Sequence, residues 1–473
     1  MRKSLALAVL LVLLRAAPWV LWEQAHFDSD QATAGLMALH ASEGRAFPLV
    51  HYGQYYMLGV DTWLAAPLFR AFGPSVTALK LPLVAINVAV VVLLILQLRR
   101  VIGLSPPFAF LAALFVVIPP PVVSSRLVEA QGSSIEVFLY VLLLWMARSQ
   151  PFAFGAIAGF GFMHREFTLY AVAAIVVVAI LERRASWRAV AAALATAIAV
   201  AIGIELLKTR ADLLGPGSAG TYLTNIINAH FDQSVQSRLC WNPREWTANL
   251  QWLFTQNLGV LFGWRVGPLS EFNLNTRVAG GHLVAAAAIF IVCCGASLSG
   301  ERKPFALYLI LVGLQAIGVY AFLSCVVRDG MLVRYTLLGL LLAVGAAALA
   351  LSSSSAIVRA VTASAIVVWA LAAATDDVLV LREYLKSPPR DEYRELTTFL
   401  ESQGIRFGMA PFWTAYHVDF LSHERVILGT WERIQIAEYQ DLVKQHANEA
   451  VRITVDEPCP ATAMAYRRWC VIR

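Results

Sequence analysis

Apolar residues run through this chain in long unbroken blocks, not in the short alternation of a half-buried strand. Blocks long enough to cross a bilayer lie near 4–22, 77–98, 107–123, 133–147, 188–207, 280–298, 304–325, 335–351 and 356–375. The stretch 152–181 is too long for one span and carries His164-Arg165-Glu166 near its centre, with arginines on both flanks. Two short helices, out and back, return both flanks to the same side. The pattern predicts about eleven transmembrane helices.

The polar segments between the blocks set an orientation. With the N-terminus in the cytoplasm, the inner turns receive Arg2, Lys3, Arg99, Arg100, Arg148, Arg183, Arg184, Arg188, Arg302, Lys303 and Arg359. The short outer turns receive only Arg126, Arg165, Arg328 and Arg334. That asymmetry follows the positive-inside rule, and an odd number of crossings then leaves the C-terminus outside. Two outer loops are long, 22–76 and 208–279. The tail 376–473 holds 27 charged residues in 98, against 41 in the first 375. The expectation is a membrane domain over 1–375 and a soluble, outer α/β domain over 376–473. Within the tail, the periodicity predicts helices over 390–403 and 434–448, with strands at 425–428, 451–455 and 469–472.

Composition agrees. Of 473 residues, 59% are hydrophobic and 14% charged, with a mean hydropathy of +0.65, whereas soluble domains carry about 25% charged residues. The net charge of +6 reflects inner-turn arginines and gives no reason to expect a nucleic-acid partner. Met1-Arg2-Lys3 ahead of an apolar block reads as a retained signal-anchor. Cys293 and Cys294 fall in a span, while Cys459 and Cys470 fall in the outer tail, where a disulfide is permitted. No Cys-x-x-Cys or His-x-x-x-His spacing marks a zinc site.

Most of the candidate chemistry follows the first block. It reads His26-Phe27-Asp28-Ser29-Asp30-Gln31-Ala32, then Gly44, Pro48 and His51-Tyr52-Gly53-Gln54-Tyr55-Tyr56, then Trp63-Leu64-Ala65-Ala66-Pro67-Leu68-Phe69 and Phe72-Gly73. A carboxylate at a bilayer surface can act as general base for a hydroxyl or amine that attacks a neighbouring carbon. This segment resembles the first periplasmic loop of the GT-C membrane glycosyltransferases, in the branch with the protein O-mannosyltransferases and the lipid A aminoarabinose transferase. The resemblance implies an inverting transfer from a polyprenyl-phosphate-linked sugar to an acceptor (lipid, glycan or protein) on the outer face of the bacterial inner membrane. The family's Asp-Glu pair falls on Asp30 and Gln31. Asp30 is thereby implied as the base, Gln31 departs from the pattern, and Asp28 is the rival base.

A leaving phosphate calls for cations. Arg15 late in the first block, Arg165, and Arg328 with Arg334-Tyr335 ahead of a late block are the candidates for holding it, since charge near a span seldom faces lipid. Lys80 is a further cation beside them. His51, Tyr52, Gln54, Tyr55, Asp61 and His164 are assigned to the substrate side. Asp28 and Asp30 alone would hold an ion weakly, so no metal site is assigned and a divalent cation stays open. Besides the lipid donor and the acceptor, membrane lipids are the expected partners. Two other classes compete: a transporter or lipid flippase, and a catalytically inactive assembly subunit of the same shape. Transporters place ionisable residues at mid-membrane on broken, repeated helices, and here the carboxylates stand in a loop.

Overall fold

The computed structural model describes residues 1–132, 134–183, 186–208, 241–264, 282–300, 302–323 and 330–473. Helix α1 (Arg2–Leu21) fills the first apolar block. Segment 22–76 then folds as helix α2 (Ser29–Ser42), an antiparallel hairpin of β1 (Val50–His51) and β2 (Gln54–Leu58), and helix α3 (Val60–Phe72). The bundle continues with α4 (Val76–Gln97), α5 (Pro106–Val117), the short α6 (Pro121–Arg126), α7 (Ile135–Ala147), α8 (Pro151–His164), α9 (Thr168–Leu181) and α10 (Trp187–Lys208). Later helices cover His282–Leu298, Pro304–Leu323, Leu340–Ser352 and Ala356–Lys386.

Among the described residues, six helices are long and apolar enough to cross a membrane, and five shorter apolar helices accompany them. Together they coincide with the eleven apolar segments, and the chain is a multi-pass membrane protein. The stretch 152–181 does split, breaking between α8 and α9 at Arg165-Glu166-Phe167. The last long helix runs past 375 to Lys386. No glycine or proline interrupts it before Pro388-Pro389, and its 31 residues span about 46 Å, more than the bilayer core of about 30 Å.

The tail folds around a five-stranded sheet of order β4-β3-β5-β7-β6. Its strands are β3 (Phe407–Ala410), β4 (Ile427–Thr430), β5 (Val451–Val455), β6 (Met464–Tyr466) and β7 (Trp469–Ile472). β3 pairs parallel with β4 and β5, and β7 runs antiparallel to β5 and β6. A disulfide joins Cys459 to Cys470 of β7. Helices Glu392–Ser402 and Ala437–Gln445 lie where periodicity predicts them. Helix Phe412–Leu421 was not legible, because eight of its ten residues are buried and no polar stripe marks it.

That helix docks the tail on α2. Gly35 faces the ring of Phe420 so closely that a Cβ there would come within 2.6 Å of it. Around this contact, Ser29 Oγ donates to Phe412 O at 2.8 Å, and His417 Nε2 meets Phe27 O at 2.9 Å. At the other end of α2, His40 Nε2 lies 2.8 Å from Glu424, which also accepts from Tyr439 and Arg45.

Candidate active site

The site begins where α1 gives way to α2. Lys80, fully buried on α4, donates to Trp19 O at 3.0 Å and His26 O at 2.9 Å. Its ammonium thus satisfies carbonyls at the end of α1 and in the turn after it. Asp28 is the N-cap of α2, its Oδ1 accepting the Gln31 N–H at 3.0 Å. Its other oxygen accepts from Gln131 Nε2 at 3.2 Å. Both oxygens of Asp28 therefore have partners.

Gln31 is buried and serves as a two-way tie. Its Nε2 donates to His26 O at 3.1 Å and its Oε1 accepts the Ala130 N–H at 3.3 Å. A glutamate could make only the second bond, because an ionised carboxylate has no donor. The loop after α6, reached through Ala130, carries Glu129 and Gln131. Glu129 accepts from Arg126 at 2.7 Å and from Gln131, and stands 3.5 Å from His26. Burial alone would raise its pKa, but Arg126, His26 and Arg334 hold it well below the usual carboxylate range. Arg334 Nη1 donates to Gln131 Oε1 at 2.5 Å, and its guanidinium lies 5.3 Å from the centre of the Tyr335 ring.

Asp30 is the contrast. It lies in the first turn of α2, half-buried, and its carboxylate accepts no hydrogen bond from any described residue. Withdrawal from water and the charge of Asp28 raise it to about 6, while Arg334 and Arg433 pull the other way. Arg433 is an exposed residue of the tail, so the two units both bring positive charge toward this carboxylate. A carboxylate with no hydrogen-bond partner among the described residues and a pKa near neutrality, under the charge of Arg334 and Arg433, is chemically suited to accept a proton beside an anionic ligand.

A second cluster lies at the other end of the same loop. Asp61 of α3, Glu136 of α7 and His164 of α8 are 4%, 2% and 0% exposed, and a ligand atom of each lies within 4.8 Å of the others. Burial, then the Glu136 carboxylate, pushes Asp61 well above the usual range. Arg165 donates through Nε to Gly132 O at 3.1 Å and stands 4.0 Å from Glu166.

The remaining sequence candidates are dispersed. Arg15 is buried in the bundle, where it donates to Asn87 Oδ1 at 2.6 Å and has no bond to the Asp28 network. His51 is buried on β1 and driven down to about 4 by its burial, with Arg165 acting in the same direction. Tyr52 is buried too, its hydroxyl 3.0 Å from His40 Nδ1, so it braces the docked tail. Gln54 is half-buried on β2. Arg328 and the side chain of Tyr55 lie outside the described residues.

No protein-family profile matches the sequence, and no curated protein matches it. Whole-fold comparison does find likeness. The crystal structure of ArnT from Cupriavidus metallidurans in the apo state matches over 99% of this chain and 97% of its own, with a TM-score of 0.64 at 10% identity. The same protein bound to undecaprenyl phosphate matches over 99% and 98%, with a TM-score of 0.61 at 11% identity. This chain has the GT-C fold. Because the likeness runs nearly end to end, the GT-C fold here takes in the C-terminal sheet as well as the helices.

Several residues of this candidate site were missed from sequence. Glu129, Gln131 and Glu136 flank the start of an apolar block, and the ionisable side chains of Glu129 and Glu136 at such a border carry a signal that could have singled them out. Arg433 and Glu424 carry none, because only the docking of the tail brings them to α2.

Proposed function

We propose that this chain is a membrane glycosyltransferase that moves a sugar from a polyprenyl-phosphate carrier to an acceptor, with Asp30 as general base. The observation that carries the reading is the division between the two acids. Asp28 is committed through both oxygens, whereas Asp30 is free to take a proton and sits close to neutrality. The acceptor O–H or N–H loses its proton to Asp30 as its heteroatom attacks the anomeric carbon. The bond from that carbon to the phosphate oxygen breaks, and the electron pair leaves with polyprenyl phosphate. Attack from the face opposite the phosphate inverts the centre.

Arg334, beside Tyr335 and held by Gln131, is suited to the departing phosphate, and Arg433 adds charge from the tail. Arg165 is a further candidate for that role. Arg15, bonded to Asn87, is better suited to holding the bundle together. The GT-C fold and the binding of undecaprenyl phosphate by ArnT support the donor class. The resemblance of loop one, including Gln54, supports a sugar-bearing donor on this face. The Cys459–Cys470 disulfide and the arginine asymmetry both favour an exported C-terminus and a bacterial inner-membrane location.

The test uses purified chain with a panel of radiolabelled polyprenyl-phosphate sugars and an envelope extract as acceptor. Release of polyprenyl phosphate should depend on acceptor and fall by about 10²- to 10⁴-fold in Asp30→Asn. Full turnover in Asp30→Asn together with loss in Asp28→Asn would reverse the assignment of the base. Acceptor-independent solute uptake into vesicles, with no release, would replace the enzyme by a transporter.

A further inference from the structure

The loop between α6 and α7 has two ends, and the mechanism uses only one. At its far end the three side chains of Asp61, Glu136 and His164 converge from three different helices. Each is held from behind by one partner. Asp61 Oδ2 accepts the Gly132 N–H at 2.7 Å, and Glu136 Oε2 accepts both the N–H and the Oγ–H of Ser134 at 3.0 Å. His164 Nδ1 is paired with the Tyr140 hydroxyl at 2.9 Å. This leaves Asp61 Oδ1, Glu136 Oε1 and His164 Nε2 buried with no hydrogen-bond partner.

Three unpartnered buried polar atoms in one cluster, with the Asp61 and Glu136 carboxylates close enough to interact, demand an explanation, since almost all buried polar atoms are satisfied. Arg165 is the nearby cation; its Nε donates to Gly132 O, and its Nη1 stands 4.0 Å from Glu166 with no hydrogen-bond partner, so it neutralises part of the cluster's charge without satisfying these three atoms. The backbone leaves room where the ligands meet. Gly132 has a φ of +66°, and a Cβ there would come within 2.9 Å of His164 Nε2. A side chain held at one atom by a neighbour and unpartnered at its other is the pattern of a metal ligand with a supporting shell.

We propose that Asp61, Glu136 and His164 bind one divalent first-row transition ion, with Zn2+ preferred over Mn2+. One imidazole and two carboxylates suit Zn2+, and three protein ligands leave a position for water. Zinc stands above manganese in affinity for such a site. The ion would link α3, α7 and α8 and fix the loop that presents Glu129 and Gln131. Its role is positioning, and the inference holds whether or not the chain transfers sugar.

The test uses the full chain in detergent, purified without a polyhistidine tag, stripped with chelator and titrated with Zn2+ or Mn2+. Expected are stoichiometric Zn2+ by elemental analysis, a rise in Tm on adding Zn2+, and weaker binding of Mn2+. Tyr140→Phe, which touches no ligand atom of the ion, should weaken Zn2+ by about 10- to 100-fold, and Asp61→Asn or His164→Gln should abolish binding. Wild-type chain that stays monodisperse after stripping, yet binds neither ion and keeps its Tm, overturns the proposal and leaves Asp61 and Glu136 sharing a proton. Zn2+ binding that is unchanged in Asp61→Asn and His164→Gln overturns it as well.

Discussion

Asp28 and Gln131 meet at 3.2 Å across 103 positions of chain. Through that bond, the residue that starts α2 also holds the loop that positions Arg334. Asp28→Asn keeps an oxygen for the cap but turns an amide N–H2 toward Gln131. Asp28→Ala loses both contacts and should cost about 0.5–2 kcal/mol. The expected order of Tm is wild type, then Asp28→Asn, then Asp28→Ala, with turnover reduced in both variants. Equal melting of Asp28→Ala and wild type would remove the cap from the account.

The raised Asp30 sets the pH profile. A base works ionised, so kcat/KM should rise as pH increases through about 6 and level off above it. Arg334→Gln removes a charge that favours the ionised form, so the same step should move to higher pH. Asp30→Asn should lower turnover by about 10²- to 10⁴-fold and erase the step. A profile that is flat from pH 5 to 8 in the wild type would contradict Asp30 as base.

Gly35→Ala should loosen the tail. The new methyl meets the buried ring of Phe420 at 2.6 Å, and overpacking of this kind costs about 1–3 kcal/mol. Limited proteolysis should show faster cleavage near Pro388-Pro389, and Phe420→Leu introduced with Gly35→Ala should slow it again. Cleavage at the wild-type rate in the single variant would mean that the two helices part without cost.

Acid should also undock the tail. Burial would raise Glu424, but hydrogen bonds from His40, Arg45 and Tyr439 bring it down to about 2. A carboxylate with a lowered pKa contributes stability above its unfolded value of about 4.3. That contribution is lost as pH falls from there through about 2. Protease sensitivity of the tail should increase over that interval, and Glu424→Gln should already show it at pH 7. Protection that persists unchanged to pH 2 would exclude this linkage.

The membrane helices were legible because a bilayer imposes length and apolarity on every span. Even the split at His164-Arg165-Glu166 followed from charge placement. The outer contour of the tail was legible from alternation, but Phe412–Leu421, buried all round, gave no period to read. In the site, the chemical resemblance pointed to Asp30 from residues close together in sequence. One partner each of Asp28 and Gln31 lies about 100 positions away on the loop after α6, and such long-range pairing leaves no local trace. Tyr52 was read as a sugar contact, yet its hydroxyl faces His40, because aromatic residues at a membrane surface serve packing and binding alike. Gln31 stood out as a departure, and its two hydrogen bonds give that departure a structural reason.

Helix α2 carries the candidate base on its first turn and is walled by the bundle on one side and by Phe412–Leu421 on the other. A change on either face of this contact is therefore felt by the other. A tail transplanted from a distant relative would have to bring a matching α2 face, with room opposite Phe420 and an acid opposite His40. Separated into two polypeptides at Pro388, the parts would have to find each other again before Asp30 regained its surroundings. The surroundings of Asp30 are thus a joint product of the tail and the membrane half, and neither alone specifies them.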